Sequence, residues 1–422
     1  MTQRCDVVIV GAGIAGCAAA IAYARYGLRV ILVEAHRNTD AFKRACTHLI
    51  QSSAVPTLRR LGLEAEVEAA GGIRTDLEFH TRAGWVRYPR IASGPDATYG
   101  YNIRRSQLDP LLRRTAAETD GVRLLRGARV RELQRDGRRV TGVVVQNEAG
   151  ELVPIDARLT IGADGRHSAV AGLARVRTIK TSHGRFGCFA HYTGVLDKSG
   201  AELVTRGDGP AQATSRLWLL DPDIAYMLPN DGRTVLAAMV SSERRDESLR
   251  NLDNHINSIF SRLPGGPDLS NARRVSNFTP IKKYQSVWRR PIAPGLALIG
   301  DAALVTDYLW GAGIGWALQS SEWITDATAL PLVSGEPMAP ALRKYAYRHF
   351  RRLGLHHAFN ANFATGRKMN ALERVLFGAA TADEEIGARL LDFGSRKLNP
   401  LQAFGPGLLA RAWRLHRALE AA

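Results

Sequence analysis

Cys5-Asp6-Val7-Val8-Ile9-Val10-Gly11-Ala12-Gly13-Ile14-Ala15-Gly16 stands almost at the start of the chain, and Cys17-Ala18-Ala19-Ala20-Ile21-Ala22 follows it. Four apolar, β-prone residues run into Gly-x-Gly-x-x-Gly, and an alanine-rich helix takes over. Gly11 allows the tight turn out of the strand. Gly13 lets a pyrophosphate come close to the backbone, and Gly16 lets the helix pack on the strand. The start of the helix offers free N–H groups to phosphate oxygens. A second apolar strand, Val30-Ile31-Leu32-Val33, ends at Glu34, 18 residues beyond Gly16. An acid roughly 20 residues on is what a ribose diol needs. Strand, glycine turn, helix, strand and acid in this order predict a dinucleotide-binding βαβ unit.

Two later strand ends carry the same kind of chemistry. Leu159-Thr160-Ile161 enters Gly162-Ala163-Asp164-Gly165-Arg166-His167-Ser168. Asp164 suits a ribose hydroxyl or the N–H groups of its own turn, and both readings stay open. Leu296-Ala297-Leu298-Ile299 enters Gly300-Asp301, and Gly311-Ala312-Gly313-Ile314 leads into a helix expected to reach about residue 328. Asp301 suits a sugar-like hydroxyl chain. The backbone from Gly311 to Ile314, at the positive end of that helix, suits an electron-rich ring edge.

Between these points the pattern is simpler. Ser53 reads as the cap of a helix over 54–61 that stops at Gly62. Leu77–His80 and Trp85–Tyr88 read as short strands. Ser106 reads as the cap of a helix that follows the strand around Tyr101. Strands are expected at 122–125, 128–133 and 140–145, with a hairpin turn at 135–138. Residues 185–241 alternate as strands with tight turns and no helix-length pattern, which predicts an antiparallel sheet. A helix is expected over 247–262. Beyond 336 the chain reads as helical. Leu408, Ala412, Leu415 and Leu419 share one face of the last helix, which reads as docking on the protein body rather than on a membrane.

The 422 residues are 45% hydrophobic and 23% charged, which is globular composition. The net charge of +17 comes mostly from arginines spread along the whole chain, without a dense basic run. That field favours anionic cofactors and substrates over nucleic acid. The four cysteines are far apart and form no Cys-x-x-Cys, so no metal site is expected. His356-His357 are adjacent and point apart on a helix. No apolar run of about 18 residues exists, so no membrane span is expected. The first strand begins at once and leaves no room for a signal peptide, so a cytoplasmic location is expected.

Gly11-x-Gly13-x-x-Gly16 with Glu34, Asp164-Gly165, and Gly300-Asp301, in this order, resemble the single-component FAD-dependent monooxygenases of the aromatic hydroxylase type, which are related to geranylgeranyl reductases and flavin halogenases. The resemblance covers about residues 1–325. It implies an α/β fold with a Rossmann-like FAD-binding domain of glutathione-reductase type, an antiparallel β-sheet substrate domain and a C-terminal helical region. The FAD-binding domain is expected over 1–75, 98–178 and 277–328, the substrate domain over 76–97 and 179–276, and the helical region over 329–422. The cofactor site it implies contains Gly11, Gly13, Ala15, Gly16, Glu34, Ala35, Arg44, Arg105, Val130, Asp164, Gly165, Asp301, Gly311, Gly313 and Ile314.

The resemblance further implies FAD reduced by NAD(P)H, O2 as co-substrate, and a small organic substrate such as a natural-product intermediate, in a monomer or homodimer. His48, Asp307 and Tyr226 are the expected catalytic groups by position, with Tyr308 and Trp310 beside them. His48 or Asp307 would move a proton for a phenol or amine substrate. Three departures stand out. Leu304 replaces a common His, Asp307 occupies the first usual proline position, and Tyr308 stands where reductases and halogenases usually carry proline. No two tryptophans lie two apart, so the tryptophan-halogenase signature is missing. A reductase acting on C–C bonds and a halogenase-like enzyme are the alternative readings.

Overall fold

The computed structural model describes residues 2–87, 99–244, 251–281 and 284–421. Its first sheet is the predicted nucleotide unit. Gln3–Val10 runs parallel to Val30–Glu34 on one side and to Leu152–Gly162 on the other. Val122–Arg126 and Leu296–Leu298 extend the parallel array at its two ends. The hairpin Arg129–Asp136 and Arg139–Gln146 adds antiparallel strands to Leu152–Gly162. The strand cores at Val7–Ile9 and Leu32 are fully buried, as expected where helices cover both faces.

Helix Ile14–Ala24 crosses between the first two strands. Its small residues let a second helix, Gly313–Ser334, lie against it. Ser321 donates to the Ala15 carbonyl at 2.8 Å, and the hydroxyls of Tyr23 and Thr328 meet at 2.5 Å. Gly313–Ser334 is longer than expected: Pro331 lies inside its last turn, and Gly335 in the left-handed region ends it.

The second sheet packs beside the first. Arg185–Thr193, Arg233–Ser241, Ile224–Asn230 and Gln212–Leu219 are successive antiparallel neighbours. The sheet is not wholly antiparallel, because Gln212–Leu219 pairs parallel with Ile73–Thr81. That strand arrives from far upstream, and a long connection permits either direction. Ile73–Thr81 then pairs with Gly100–Asn102, and Gly100–Asn102 with Leu49–Ile50. Segments expected in the cofactor domain therefore hydrogen-bond into the second sheet. The strand Ile73–Thr81 and the helix Gly313–Ser334 also run through the expected boundaries at 75/76 and 328/329.

Local capping differs from the sequence expectation at two helices. Helix Arg105–Glu118 begins one residue before Ser106, and its first N–H, from Arg105, donates to Nδ1 of His48 at 3.0 Å. Ser53 lies inside a short 3-10 turn, Ser52–Ala54, ahead of helix Val55–Arg60, and its hydroxyl accepts from Arg396. Tyr88 of the second expected short strand, and residues 247–250 of the helix that begins at Leu252, lie outside the described residues.

Helix Met338–Phe363 packs along Gly313–Ser334, and Ala371–Ala379, Glu384–Gly394 and Pro406–Ala421 cover the second sheet. Ala412 of the last helix is fully buried, and Leu408 and Leu415 pack against the same core as Phe79 and Leu217. The side chain of Leu419 lies outside the description. No helix among the described residues is long and apolar enough to cross a membrane.

The closest backbone approach in the first sheet occurs at its glycine turn. A Cβ on Gly16 would stand 1.8 Å from the Gly11 carbonyl oxygen. Gly16→Ala is therefore expected to cost more than the ~1–3 kcal/mol usual for overpacking, read as a lower denaturation midpoint of the FAD-free chain.

Candidate functional site: a long cleft and an apolar chamber

A cleft of about 1030 Å³ runs from the end of strand Val30–Glu34, past the glycine turn, to the start of helix Gly313–Ser334. Gly11, Gly13, Ala15, Glu34, Ala35, Arg44, Arg105 and Val130 border it from the first half of the chain. Asp164, Gly165, Asp301, Gly311, Gly313 and Ile314 border it from the later strand ends. The structure thus brings together every expected cofactor residue except Gly16, which sits under Gly11 and sets the helix spacing.

The cleft is larger than a single drug-sized ligand needs, since such pockets measure roughly 300–1,000 Å³. Two glycines on its wall are not explained by the protein itself. Gly13 has φ −83°, a value open to any residue, and a Cβ there would meet nothing within 4 Å. Gly313 likewise has open space where a Cβ would be. Each stands at the start of a helix, so two helix N-termini with bare backbone open on one cleft. That is a cradle for an elongated anionic ligand.

The acids on the wall are held in place by neighbours. Glu34 accepts the N–H groups of Ala12 and His36, both at 2.8 Å. Asp164 accepts from Ser168 Oγ at 2.6 Å and from the Val170 N–H at 3.0 Å, so it braces its own turn. Asp301 pairs with Lys43 Nζ at 2.8 Å. Arg105 is ion-paired along its helix to Asp109, with Nη2 2.9 Å from Oδ2.

Two residues that brace the cleft escaped sequence reasoning, Arg113 on its wall and Arg289 behind it. Arg113 donates to the carbonyls of Ala12, Thr39 and Ala41 and fastens the loop after Glu34 to the glycine turn. Arg289 donates to the Asp301, Ala302 and Arg166 carbonyls, tying the two later turns together. Both arginines bond to main-chain oxygens, which no sequence motif advertises.

At the inner end of the cleft stand Tyr284, Asp307 and Tyr308. Asp307 is fully buried, accepts the Leu309 N–H at 2.6 Å, and contacts Nε2 of His183. Nδ1 of His183 lies 3.0 Å from the Arg185 nitrogen and 2.9 Å from the Arg185 carbonyl oxygen, and its Nε2 faces Asp307. Tyr308 stacks on His183 with centroids 4.9 Å apart, and burial holds its phenol well above the usual range. A Cβ on Gly187 would lie 3.0 Å from the Tyr308 hydroxyl, so that glycine makes room for the ring.

Beyond Gly311 lies a second, small space of about 10 Å³, room for about one water. Thr47, Leu49 and Gly311 border both spaces. Its other walls include Leu77, Phe79, Leu217, Tyr226, Leu309 and Trp310, and it has no charged side chain. Trp310 packs against Phe79 and Phe363, and its buried Nε1 has no acceptor among the described residues.

The three expected catalytic groups separate in space. Asp307 borders the cleft. Tyr226 borders the chamber, but its hydroxyl is spent on the Leu309 carbonyl. His48 borders neither, with Nδ1 occupied by the Arg105 N–H and Nε2 3.3 Å from Nε2 of His191. It sits at φ 71° as a helix cap. Burial first, then the His191 and arginine charges, pushes its pKa down to about 3. Burial and Arg233 push that of His191 down to about 4.

A mixed α/β fold with a dinucleotide cleft and an apolar chamber at its inner end defines a cofactor-dependent class of protein. The family model described as FAD binding domain matches residues 4–322, and the chain belongs to that family. The chain is 26% identical over 357 residues to digeranylgeranylglycerophospholipid reductase of Methanothrix thermoacetophila, covering 83% of this chain and 84% of that one. It is 32% identical over 166 residues to squalene epoxidase 4 of Arabidopsis thaliana, 39% of this chain and only 32% of the plant protein's length. The solved structure of flavin-dependent brominase Bmp2 shares the fold, with a TM-score of 0.76 at 18% identity over 99% of this chain and 100% of that one.

Gly13→Val is expected to leave the denaturation midpoint of the FAD-free chain unchanged and to weaken FAD binding at least about tenfold, ~1.4 kcal/mol, measured by flavin fluorescence titration. The histidine pair predicts acid lability of definite sign. The unfolded chain binds protons on these two groups near pH 6.5, and the folded chain refuses them until about pH 4 or 3. Their contribution is fully present above pH 6.5 and is lost as pH falls toward 4. His48→Asn keeps an acceptor for the Arg105 N–H and tolerates positive φ. It is expected to flatten the slope of melting temperature between pH 6.5 and 4.5. His48→Ala strands that N–H and is expected to cost about 1–3 kcal/mol at pH 7.5.

Proposed function

We propose that this chain is an FAD-dependent monooxygenase that uses NAD(P)H and O2 to insert oxygen into a neutral, largely apolar organic substrate. The observation that carries the reading is that the inner end of the cleft, at Thr47, Leu49 and Gly311, shares its wall with a small uncharged pocket. When bound, FAD supplies the electron transfer and oxygen chemistry that no side chain here provides.

The protein's own residues bind, orient and exclude water. Glu34 would use its remaining lone pairs for the adenosine ribose while holding Ala12 and His36. The helix start after Gly13 would hold the pyrophosphate. Asp301, now paired with Lys43, would hold the ribityl hydroxyls. The start of helix Gly313–Ser334 would stabilise negative charge on the flavin ring.

The His183–Asp307 contact fixes the turn that carries Leu309 and Trp310. Those two, with Phe79 and Leu217, make a dry wall for the substrate, and dryness suits a reaction that water would divert. The unpartnered Trp310 Nε1–H offers one hydrogen bond to a substrate oxygen.

A second reading, reduction of a C–C double bond, is supported by the long match to the archaeal reductase. The two readings differ in the fate of oxygen. Neutral aromatic and isoprenoid compounds that accelerate NAD(P)H oxidation by the FAD-loaded chain are to be followed by O2 uptake and product mass. One O2 consumed per NAD(P)H, with one oxygen atom gained by the product, is expected. A product richer only in hydrogen would replace the first reading by the second.

Tyr226→Phe distinguishes a wall from an acid. Because its hydroxyl already serves the Leu309 carbonyl, the variant is expected to keep kcat within about tenfold and to lose ~1–3 kcal/mol of stability. A general acid would cost about 10²–10⁴ in rate.

A further inference from the structure

Helix Met338–Phe363 turns one face away from the protein body. At 3.6 residues per turn, Arg343, Lys344, Tyr347, Phe350, Arg351 and Leu355 fall within an arc of about 140°. Tyr347, Phe350 and Leu355 are 62%, 63% and 51% exposed. The three cations are exposed as well. The preceding helix, Gly313–Ser334, ends with Leu330 and Val333, 64% and 57% exposed. Five large apolar side chains therefore face solvent on one helix pair, and isolated exposure does not account for that.

The charge on this helix has one sign. Its 26 residues contain no Asp or Glu. Among the acids of the neighbouring segment, Asp326 is engaged by Arg348 at 2.8 Å, and Glu322 by Arg60 and Arg348. Glu336, in the connecting turn, accepts from Ser334. Arg343, Lys344 and Arg351 stand among the aromatics, and the Arg351 guanidinium lies 5.7 Å from the centre of the Tyr347 ring.

A second copy of the chain would bring the same cations against this face. An anionic bilayer answers both features, because aromatic rings settle at headgroup level and lysine and arginine meet the lipid phosphates. We propose that the outer face of Met338–Phe363 docks on the surface of an anionic membrane, lying on it and not spanning it. The inner side of the same helix braces the cleft: His357 meets the Val305 carbonyl at 3.3 Å, and Asn360 donates to Thr306. Docking therefore engages the element behind Asp307.

The test is co-sedimentation of the full, FAD-loaded chain with sucrose-filled vesicles, either phosphatidylcholine alone or phosphatidylcholine with an equal part of phosphatidylglycerol. Binding is expected to the anionic vesicles, absent from the neutral ones and weakened by 0.5 M salt. Tyr347→Ser/Phe350→Ser, and separately Arg343→Gln/Lys344→Gln/Arg351→Gln, are each expected to lower the partition coefficient about tenfold. Flavin absorbance is expected to stay unchanged and melting temperature to change little, since these side chains are mostly in solvent and Phe350 touches the body through the edge of Trp288. Arg114→Gln/Arg123→Gln/Arg138→Gln removes the same charge elsewhere and is expected to change binding less than twofold. Equal loss in that control, full binding by the face variants, or no binding to anionic vesicles would each overturn the proposal. So would a lipid-free dimer that the Tyr347/Phe350 variant abolishes, which would assign the face to a second copy.

Discussion

The approach of the Gly16 backbone to the Gly11 carbonyl sets the spacing on which the rest of the site depends. A methyl group at Gly16 would overlap that oxygen, and one at Gly11 would lie 2.6 Å from the Ala163 carbonyl. Strand end, helix start and the Asp164 turn are therefore in direct backbone contact. The second helix is spaced in the same way: a Cβ on Gly300 would lie 2.9 Å from that of Ala15. Hydrogen bonds from Ser321 to Ala15 and from the Gly300 N–H to Ser320 lock it there. Two helix N-termini then open side by side on one cleft. Their dipoles add at the positions where an extended anionic ligand needs them.

The inner end of the cleft is braced differently, by polar side chains from distant parts of the chain. The turn from Asp307 to Gly311 receives a contact from His183 on Asp307 and a hydrogen bond from Tyr226 on Leu309. Gln51 Nε2 donates to the Trp310 carbonyl at 2.7 Å and to that of Gly394 at 3.0 Å. Behind Gln51 stands Arg396, buried, donating to Gln51, Gln319 and Ser53 and lying over Trp316. Its partners are neutral, and burial pulls its pKa well below the arginine range. A guanidinium without a carboxylate is costly inside a protein. Here it ties the C-terminal helices to the turn beside the chamber. The C-terminal region is in this way part of the site's scaffold.

The parts of this architecture that were legible in the sequence are those written in local spacing. Gly11, Gly13, Gly16 and Glu34 stand at intervals dictated by one βαβ unit. Asp164 and Asp301 each follow an apolar run at a strand end. Convergence of these three places follows from the order of parallel strands, which right-handed crossovers restrict. The family membership, over residues 4–322, agrees with that reading. What stayed hidden depends on partners far apart in the chain. His48 has the composition of a proton-transfer group, yet it caps a helix that begins 57 residues later. Ser106 and Ser53 have the chemistry of caps, and tertiary partners took their places. The parallel pairing of Ile73–Thr81 with Gln212–Leu219 leaves no mark in either segment, because side-chain alternation is the same in both directions.

The distribution of charge separates recognition of the cofactor from recognition of the substrate. Lys43, Arg44, Arg105, Arg113, Arg129, Arg131 and Arg166 all border the long cleft. The chamber beyond Gly311 has none. The positive charge is therefore gathered on the cleft, where it would act on an anionic ligand at short range, and the wall of the small pocket is uncharged. An ionised substrate would lose its hydration in that chamber without gaining a counter-charge, and such transfers are prohibitive. A neutral molecule loses little and gains contact with Phe79, Leu217 and Trp310. On the proposed reading, that asymmetry would favour neutral, apolar substrates. It would do so whether the bond changed is carbon to oxygen or carbon to carbon, because desolvation precedes any chemistry.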